Sequence, residues 1–119
     1  MNNSISIAVI GCGRVAQHYK KIFDSGVLSD WCLVGFYDIL IKRSTYFSEH
    51  FKTKSYESFE SMLEATRPDL VLILTPSGLH YQHTKIALQR NCNVLCVKNP
   101  LQCCPHRQKN LKTLHMKIN

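Results

Sequence analysis

Ile5-Ser6-Ile7-Ala8-Val9-Ile10-Gly11-Cys12-Gly13-Arg14-Val15-Ala16 decides how the rest of the chain is read. An apolar run rich in β-branched residues that ends in G-x-G-x-x-A is the strand–turn–helix opening of a dinucleotide-binding βαβ unit. Each residue type has a physical task there. Gly11 allows the tight turn, and Gly13 lets the backbone approach a pyrophosphate with no Cβ in the way. Ala16 keeps the helix close to the strand, so that free N–H groups over Arg14, Val15 and Ala16 point at the anion. Glycine turns after strands are common, so the motif needs support from the residues that follow it.

Working outward, residues 1–97 read as alternating strands and helices. A helix is expected from Arg14 to Ser25, with Val15, Tyr19, Ile22 and Phe23 inward and Gly26 at its stop. A second strand, Cys32 to Tyr37, closes on Asp38, and a helix over Ile41 to His50 follows. A short extended piece near Lys54 to Tyr56 leads into a helix from Ser58 to Thr66, which Arg67-Pro68-Asp69 breaks. Leu70 to Leu74 is an uninterrupted aliphatic run, the pattern of a central parallel strand covered on both faces. Thr75-Pro76-Ser77-Gly78 turns the chain into a helix over Leu79 to Arg90, and Asn93 to Val97 is the last strand. The order βαβαβαβαβ predicts an α/β fold, a doubly wound parallel sheet of the Rossmann kind in a single domain.

Composition agrees with that class. The chain has 119 residues, 45% hydrophobic and 19% charged, values of a soluble globular domain and not of a disordered one. No stretch approaches the roughly 20 apolar residues of a membrane span, and Met1-Asn2-Asn3-Ser4 has no signal-peptide character, so a cytoplasmic location is expected. Six cysteines sit in the glycine turn (Cys12), in strand-like runs (Cys32, Cys96), before a strand (Cys92) and side by side (Cys103, Cys104), a distribution that suits free thiols and no metal site. The net charge of +7 is uneven: residues 1–97 carry +2, and residues 98–119, which hold no acid, carry +5. The tyrosines and phenylalanines fall at core spacings, so the basic segment implies no nucleic-acid platform.

Asp38 stands roughly 25 residues beyond the glycine turn, where a carboxylate accepts hydrogen bonds from both adenosine-ribose hydroxyls and repels a 2′-phosphate. NAD is therefore expected over NADP, with Lys42 and Arg43 close enough to soften the preference. Thr75 and Ser77 are placed to bond the nicotinamide half of the cofactor, with Pro76 stiffening their turn. His80, in the first helical turn, is a candidate contact to phosphate, ribose or substrate; an exposed histidine at a helix start is the plainer alternative. His18, His50 and His83 have no partner at any ligand spacing and read as surface or packing residues.

Together, Gly11 to Ala16, Tyr37-Asp38, Pro68-Asp69-Leu70-Val71 and Thr75-Pro76-Ser77-Gly78-Leu79-His80 resemble the Gfo/Idh/MocA oxidoreductases, over residues 5–97. The resemblance implies hydride exchange between a nicotinamide and a CH–OH carbon of a sugar or nucleotide-sugar. It also implies a Glu-Lys-Pro step after the fifth strand and a second domain that brings the substrate pocket and an acid/base residue, commonly histidine. Here Val97-Lys98-Asn99-Pro100-Leu101 stands at that step, with Lys98 the approximate counterpart of the family lysine and the only catalytic candidate. Val97 to Pro105 can be encoded as GTG AAA AAC CCC TTG CAA TGC TGC CCC. Read two bases later, the same letters give Glu-Lys-Pro-Leu-Ala-Met-Leu-Pro, which restores the family step. The expectation is therefore a binding domain over residues 1–97, with the substrate domain absent, followed by an out-of-frame, poorly packed tail over 98–119 that leaves the chain inactive alone. A non-catalytic dinucleotide-binding or regulatory module is the alternative.

Overall fold

The chain's structure is a computed structural model that describes residues 4–27, 29–98 and 113–117. Among the described residues, five strands and four helices follow one another as β1 (Ile5–Ile10), α1 (Arg14–Asp24), β2 (Trp31–Tyr37), α2 (Ile41–His50), α3 (Phe59–Thr66), β3 (Leu70–Ile73), α4 (His80–Gln89), β4 (Asn93–Lys98) and β5 (Thr113–Lys117), with a 3-10 turn over Ser77–Leu79 before α4. All strands are parallel, in the order β2-β1-β3-β4-β5.

The aliphatic runs are continuous because both faces of the sheet are covered. Side chains along a strand alternate between faces, and β1 shows the consequence. Ile7 and Val9 join Ala16, Tyr19 and Phe47 on the α1/α2 side, whereas Ala8 and Ile10 join Phe59, Met62, Leu63 and Ala87 on the α3/α4 side. β3 divides in the same way, Leu72 to one layer and Val71 and Ile73 to the other. Burying a side chain of this size stabilises the fold by about 1.5–3 kcal/mol, so the two layers together hold the strand ends in fixed relation.

Helix limits follow local chemistry. The Ser58 hydroxyl accepts from the Ser61 N–H at 3.0 Å and starts α3; Arg67, in the left-handed conformation (φ +42°), ends it just before Pro68. Gly26 (φ +80°) follows the end of α1.

Two expectations are corrected. The extended piece at Lys54–Tyr56 is no full strand: it makes a single parallel bridge, Phe36 to Ser55, through Phe36 N–H to the Lys54 carbonyl (2.9 Å) and Tyr56 N–H to the Phe36 carbonyl (3.0 Å). Three residues offer too few ladder bonds to extend further. In the tail, expected to pack poorly, Thr113–Lys117 is a fifth parallel strand that pairs Val94 with Thr113 through Lys98 with Lys117. Leu111, Ile118 and the rest of 99–112 lie outside the described residues. Counting the Ser55 bridge as an edge position, the sheet has the six-position order of a dinucleotide-binding fold. The chain leaves β1 toward β2 on one side, and β3 lies on the other, so a crevice opens at the carboxyl ends between β1 and β3.

Candidate functional site

Four strand ends meet at that crevice: Gly11 after β1, Asp38 after β2, Thr75 after β3, and Lys98 at the end of β4. Gly11 adopts φ +98°, and its N–H donates to the Tyr37 carbonyl at 2.8 Å. A Cβ at Gly11 would lie 2.7 Å from the Thr75 nitrogen and 2.8 Å from the Leu74 carbonyl carbon. The glycine is thus required twice, for its torsion and for the close approach of β3's exit.

Asp38 braces the turn from beneath. Its carboxylate accepts from the Cys12 N–H through Oδ2 at 2.7 Å and from the Leu40 N–H through Oδ1 at 2.7 Å, with 9% of the residue exposed. A carboxylate has about four acceptor positions, so two donors leave room for two more. The Cys12 thiol is pushed up to about 12, first by burial and then by the Asp38 charge, against a smaller opposing effect of Arg43. It is a protonated packing group and no nucleophile.

Beside the turn a cleft of about 420 Å³ opens between Cys12, Gly13, Arg14 and Gln17 on one side and Lys42, Arg43, Tyr46 and Phe47 of α2 on the other. That volume falls within the range of ligand clefts. α1 begins at Gly13 with no side-chain cap and no acidic residue in its first turn, so its N–H groups meet no protein anion there. The nearest atom to a Cβ built on Gly13 is Arg43 Nη1, at 3.4 Å. A helix N-terminus, Arg14, Lys42 and Arg43 around an open backbone are the kind of groups that can hold a phosphate. Ala16 is buried in the same core layer as Val9 and Ile7, as close packing of helix and strand requires, and Val15 is half-buried.

On the β3 side, Pro76 and Gly78 are exposed and Thr75 is half-exposed; Ser77 opens the 3-10 turn. His80 is not the exposed histidine of the plainer alternative: it is 1% exposed, and its Nε2–H donates to the Thr75 carbonyl at 2.6 Å, so it supports the turn from below. Two other histidines are partnered as well. His83 Nδ1 is 2.9 Å from Thr75 Oγ1, and His50 Nε2 is 2.9 Å from Asp24 Oδ1. The His83 pKa is lowered, chiefly by burial and next by His80, with Glu60 acting in the opposite sense. Sequence reading missed His83 because an i, i+8 contact across a 3-10 turn has no regular spacing to reveal it. It also gave no part to Gln17 and Tyr46, which line the cleft. Lys98 pairs in register with Lys117. Among the described residues there is no metal-ligating cluster, and no helix is long and apolar enough to cross a membrane.

An uncapped helix start, a glycine whose missing Cβ leaves backbone open, a braced carboxylate and three cations are chemically compatible with a dinucleotide. Fold and site together define a Rossmann-type dinucleotide-binding domain. Residues 5–115 match the Gfo/Idh/MocA family, described as an oxidoreductase family with an NAD-binding Rossmann fold, and the chain belongs to it. It is 30% identical over 100 residues to D-glucoside 3-dehydrogenase of Escherichia coli, covering 83% of this chain and 28% of that protein. It is 28% identical over 92 residues to glucose-6-phosphate 3-dehydrogenase of Bacillus subtilis, covering 77% of this chain and 25% of that one. Among solved structures, the WlbA dehydrogenase of Chromobacterium violaceum in complex with NADH and UDP-GlcNAcA superposes with a TM-score of 0.75 at 26% identity, over 82% of this chain and 28% of the other. The chain thus spans about a quarter of the length of these relatives.

Proposed function

We propose that this domain binds NAD(H) in preference to NADP(H), as the cofactor-binding part of an oxidoreductase that acts on a CH–OH group of a sugar or nucleotide-sugar. The observation that carries the cofactor preference is the Asp38 carboxylate. It is nearly buried, fixed by two backbone N–H groups, and retains acceptor capacity at the point where adenosine-ribose hydroxyls arrive. A 2′-phosphate there meets a like charge at low exposure. Lys42 and Arg43 act against this discrimination from α2. Support for the substrate class comes from the relatives, whose names state action on a glucoside and on glucose 6-phosphate.

When bound, the nicotinamide supplies the hydride chemistry. The chain's own part is to hold the pyrophosphate at the α1 N-terminus, to fix the ribose at Asp38, and to present Thr75, Pro76 and Ser77 beside the reactive end. Proton transfer needs a further group. His80 and His83 each bond Thr75 through one ring nitrogen, and Lys98, the counterpart of the family lysine, stands at the end of β4. We therefore infer that the 119 residues alone bind cofactor without turning over substrate, and that the codons after Val97 read through to Glu-Lys-Pro in a second frame.

Titration of the purified chain with NADH and NADPH, followed by nicotinamide fluorescence, is expected to give tighter NADH binding by at least about tenfold. Tighter NADPH binding would show that Lys42 and Arg43 outweigh Asp38. In the same samples, glucosides and nucleotide-sugars with NAD are expected to produce no NADH above the buffer rate. Steady turnover would overturn the inactivity and make Lys98 or His80 the candidate acid/base group. The coding nucleotides past Val97, read in three frames, test the frame directly.

A further inference from the structure

Thr75 is held at its carbonyl and its hydroxyl by histidines of one helix. Its carbonyl accepts the His80 Nε2–H at 2.6 Å, and its hydroxyl lies 2.9 Å from His83 Nδ1. The first contact has one polarity only, because a carbonyl cannot donate. The second can run either way, and the protonation of His83 decides which. We propose that His83 is a positioning residue: its neutral ring accepts the Thr75 hydroxyl hydrogen, which leaves the Thr75 oxygen as an acceptor for an N–H or O–H donor of the nicotinamide half of the cofactor. This rests on the dinucleotide-binding reading above and adds to it a pH-dependent polarity at one atom.

The surroundings favour the neutral ring. His83 is half-buried, in a T-shaped contact with Phe59 of α3 at 5.6 Å between centroids. Burial and the neighbouring His80 lower its pKa from the ordinary value of 6.5, and Glu60 of α3 is the acidic group that opposes them. At neutral pH the ring therefore carries one proton. Once the ring is protonated, Nδ1–H donates to Thr75 Oγ1, and the hydroxyl hydrogen must turn away from the ring. One of the two lone pairs of the oxygen is then taken by the ring, and the freed hydroxyl hydrogen competes with a ligand donor for the side that faces the cofactor, so the match weakens. Thr75 itself cannot move aside, because its backbone nitrogen abuts Gly11 and its carbonyl is held by His80.

The experiment is NADH affinity from about pH 7.5 downward until nitrogen NMR shows the His83 ring protonated, measured with circular dichroism at each pH to confirm that the chain is folded. One hydrogen bond turned from matched to mismatched predicts a fall of roughly threefold to tenfold in the unmodified chain as pH drops. His83→Gln, whose amide oxygen can still accept the hydroxyl hydrogen, is expected to keep affinity within about twofold at the upper pH and to lose the slope. Thr75→Val is expected to bind more weakly throughout, also without slope. A slope that survives in either variant, or a flat profile in the unmodified chain, would overturn the proposal. Nitrogen NMR of the free protein supplies a reading independent of cofactor. The neutral His83 ring should be the Nε2–H tautomer, and Thr75→Val should raise its pKa by removing the donor that favours the neutral form. An Nδ1–H tautomer would equally overturn the proposal. Absence of NADH binding at every pH, with the expected tautomer present, would instead reject the dinucleotide-binding reading.

Discussion

Gly11→Ala is expected to destabilise the fold by about 3 kcal/mol or more and to abolish measurable NADH binding. Two costs combine. A left-handed torsion, here φ +98°, strains any residue with a Cβ, at about 1–2 kcal/mol. The new methyl would also stand 2.7 Å from the Thr75 nitrogen and 2.8 Å from the Leu74 carbonyl carbon. Both are backbone atoms, tied to β1 through Leu74 N–H to the Ile10 carbonyl at 2.8 Å, so neither can rotate aside. Relief must come from separating the ends of β1 and β3, which opens the crevice itself. Gly13→Ala is the matched control. Its Cβ would meet only an Arg43 guanidinium nitrogen at 3.4 Å, on a flexible side chain. Stability should change by less than about 1 kcal/mol, while NADH affinity falls at least about tenfold because the methyl occupies the pyrophosphate's approach. Urea unfolding and cofactor titration on the two variants separate the roles. Equal stability of the two would show that the backbone contact at Gly11 is slack.

The contrast between these glycines was only half legible in the sequence. G-x-G-x-x-A after a β-branched run states that a turn is present, because few residues tolerate it. It does not state that Gly11 touches Thr75, which lies on another strand. The same division runs through the fold. β1 and β3 were readable because burial on both faces removes any need for polar alternation, and α3 because Ser58 caps it and Pro68 follows its end. Lys54–Tyr56 was over-read, since three extended residues look alike whether they form a strand or a single bridge. Thr113–Lys117 was under-read, since its few apolar residues lie among charges and its pairing with β4 is a long-range choice. At the site, Asp38 and Thr75 were found by position, but their partners were not. Cys12 N–H lies 26 residues from Asp38, and His83 lies eight from Thr75 across an irregular turn.

Asp38→Ala is expected to cost about 1–3 kcal/mol in stability and at least about tenfold in NADH affinity, and to remove the preference over NADPH. The stability loss follows from the Cys12 N–H. That bond is buried at 2.7 Å, and alanine leaves the donor with no acceptor where solvent has little access. Leu40 N–H loses its acceptor too, but closer to the surface, where water can replace it. Asp38→Asn distinguishes shape from charge. Its single amide oxygen can accept from one of the two N–H groups, while its NH2 faces the other, so part of the stability loss remains. What must vanish in both variants is the negative charge that opposes a 2′-phosphate. With Lys42, Arg43 and Arg14 lining the cleft and no acid to offset them, NADPH should then bind as tightly as NADH or more so. The thiol beside the turn gives an independent reading. Burial is the larger cause of the Cys12 pKa near 12 and Asp38 the second, so either substitution should lower it without producing thiolate at neutral pH. The pH profile of Cys12 alkylation checks this, and the ratio of NADPH to NADH affinity checks the discrimination. An Asp38→Asn chain that keeps its NADH preference would show that ribose contacts, and not charge, set cofactor choice in this domain.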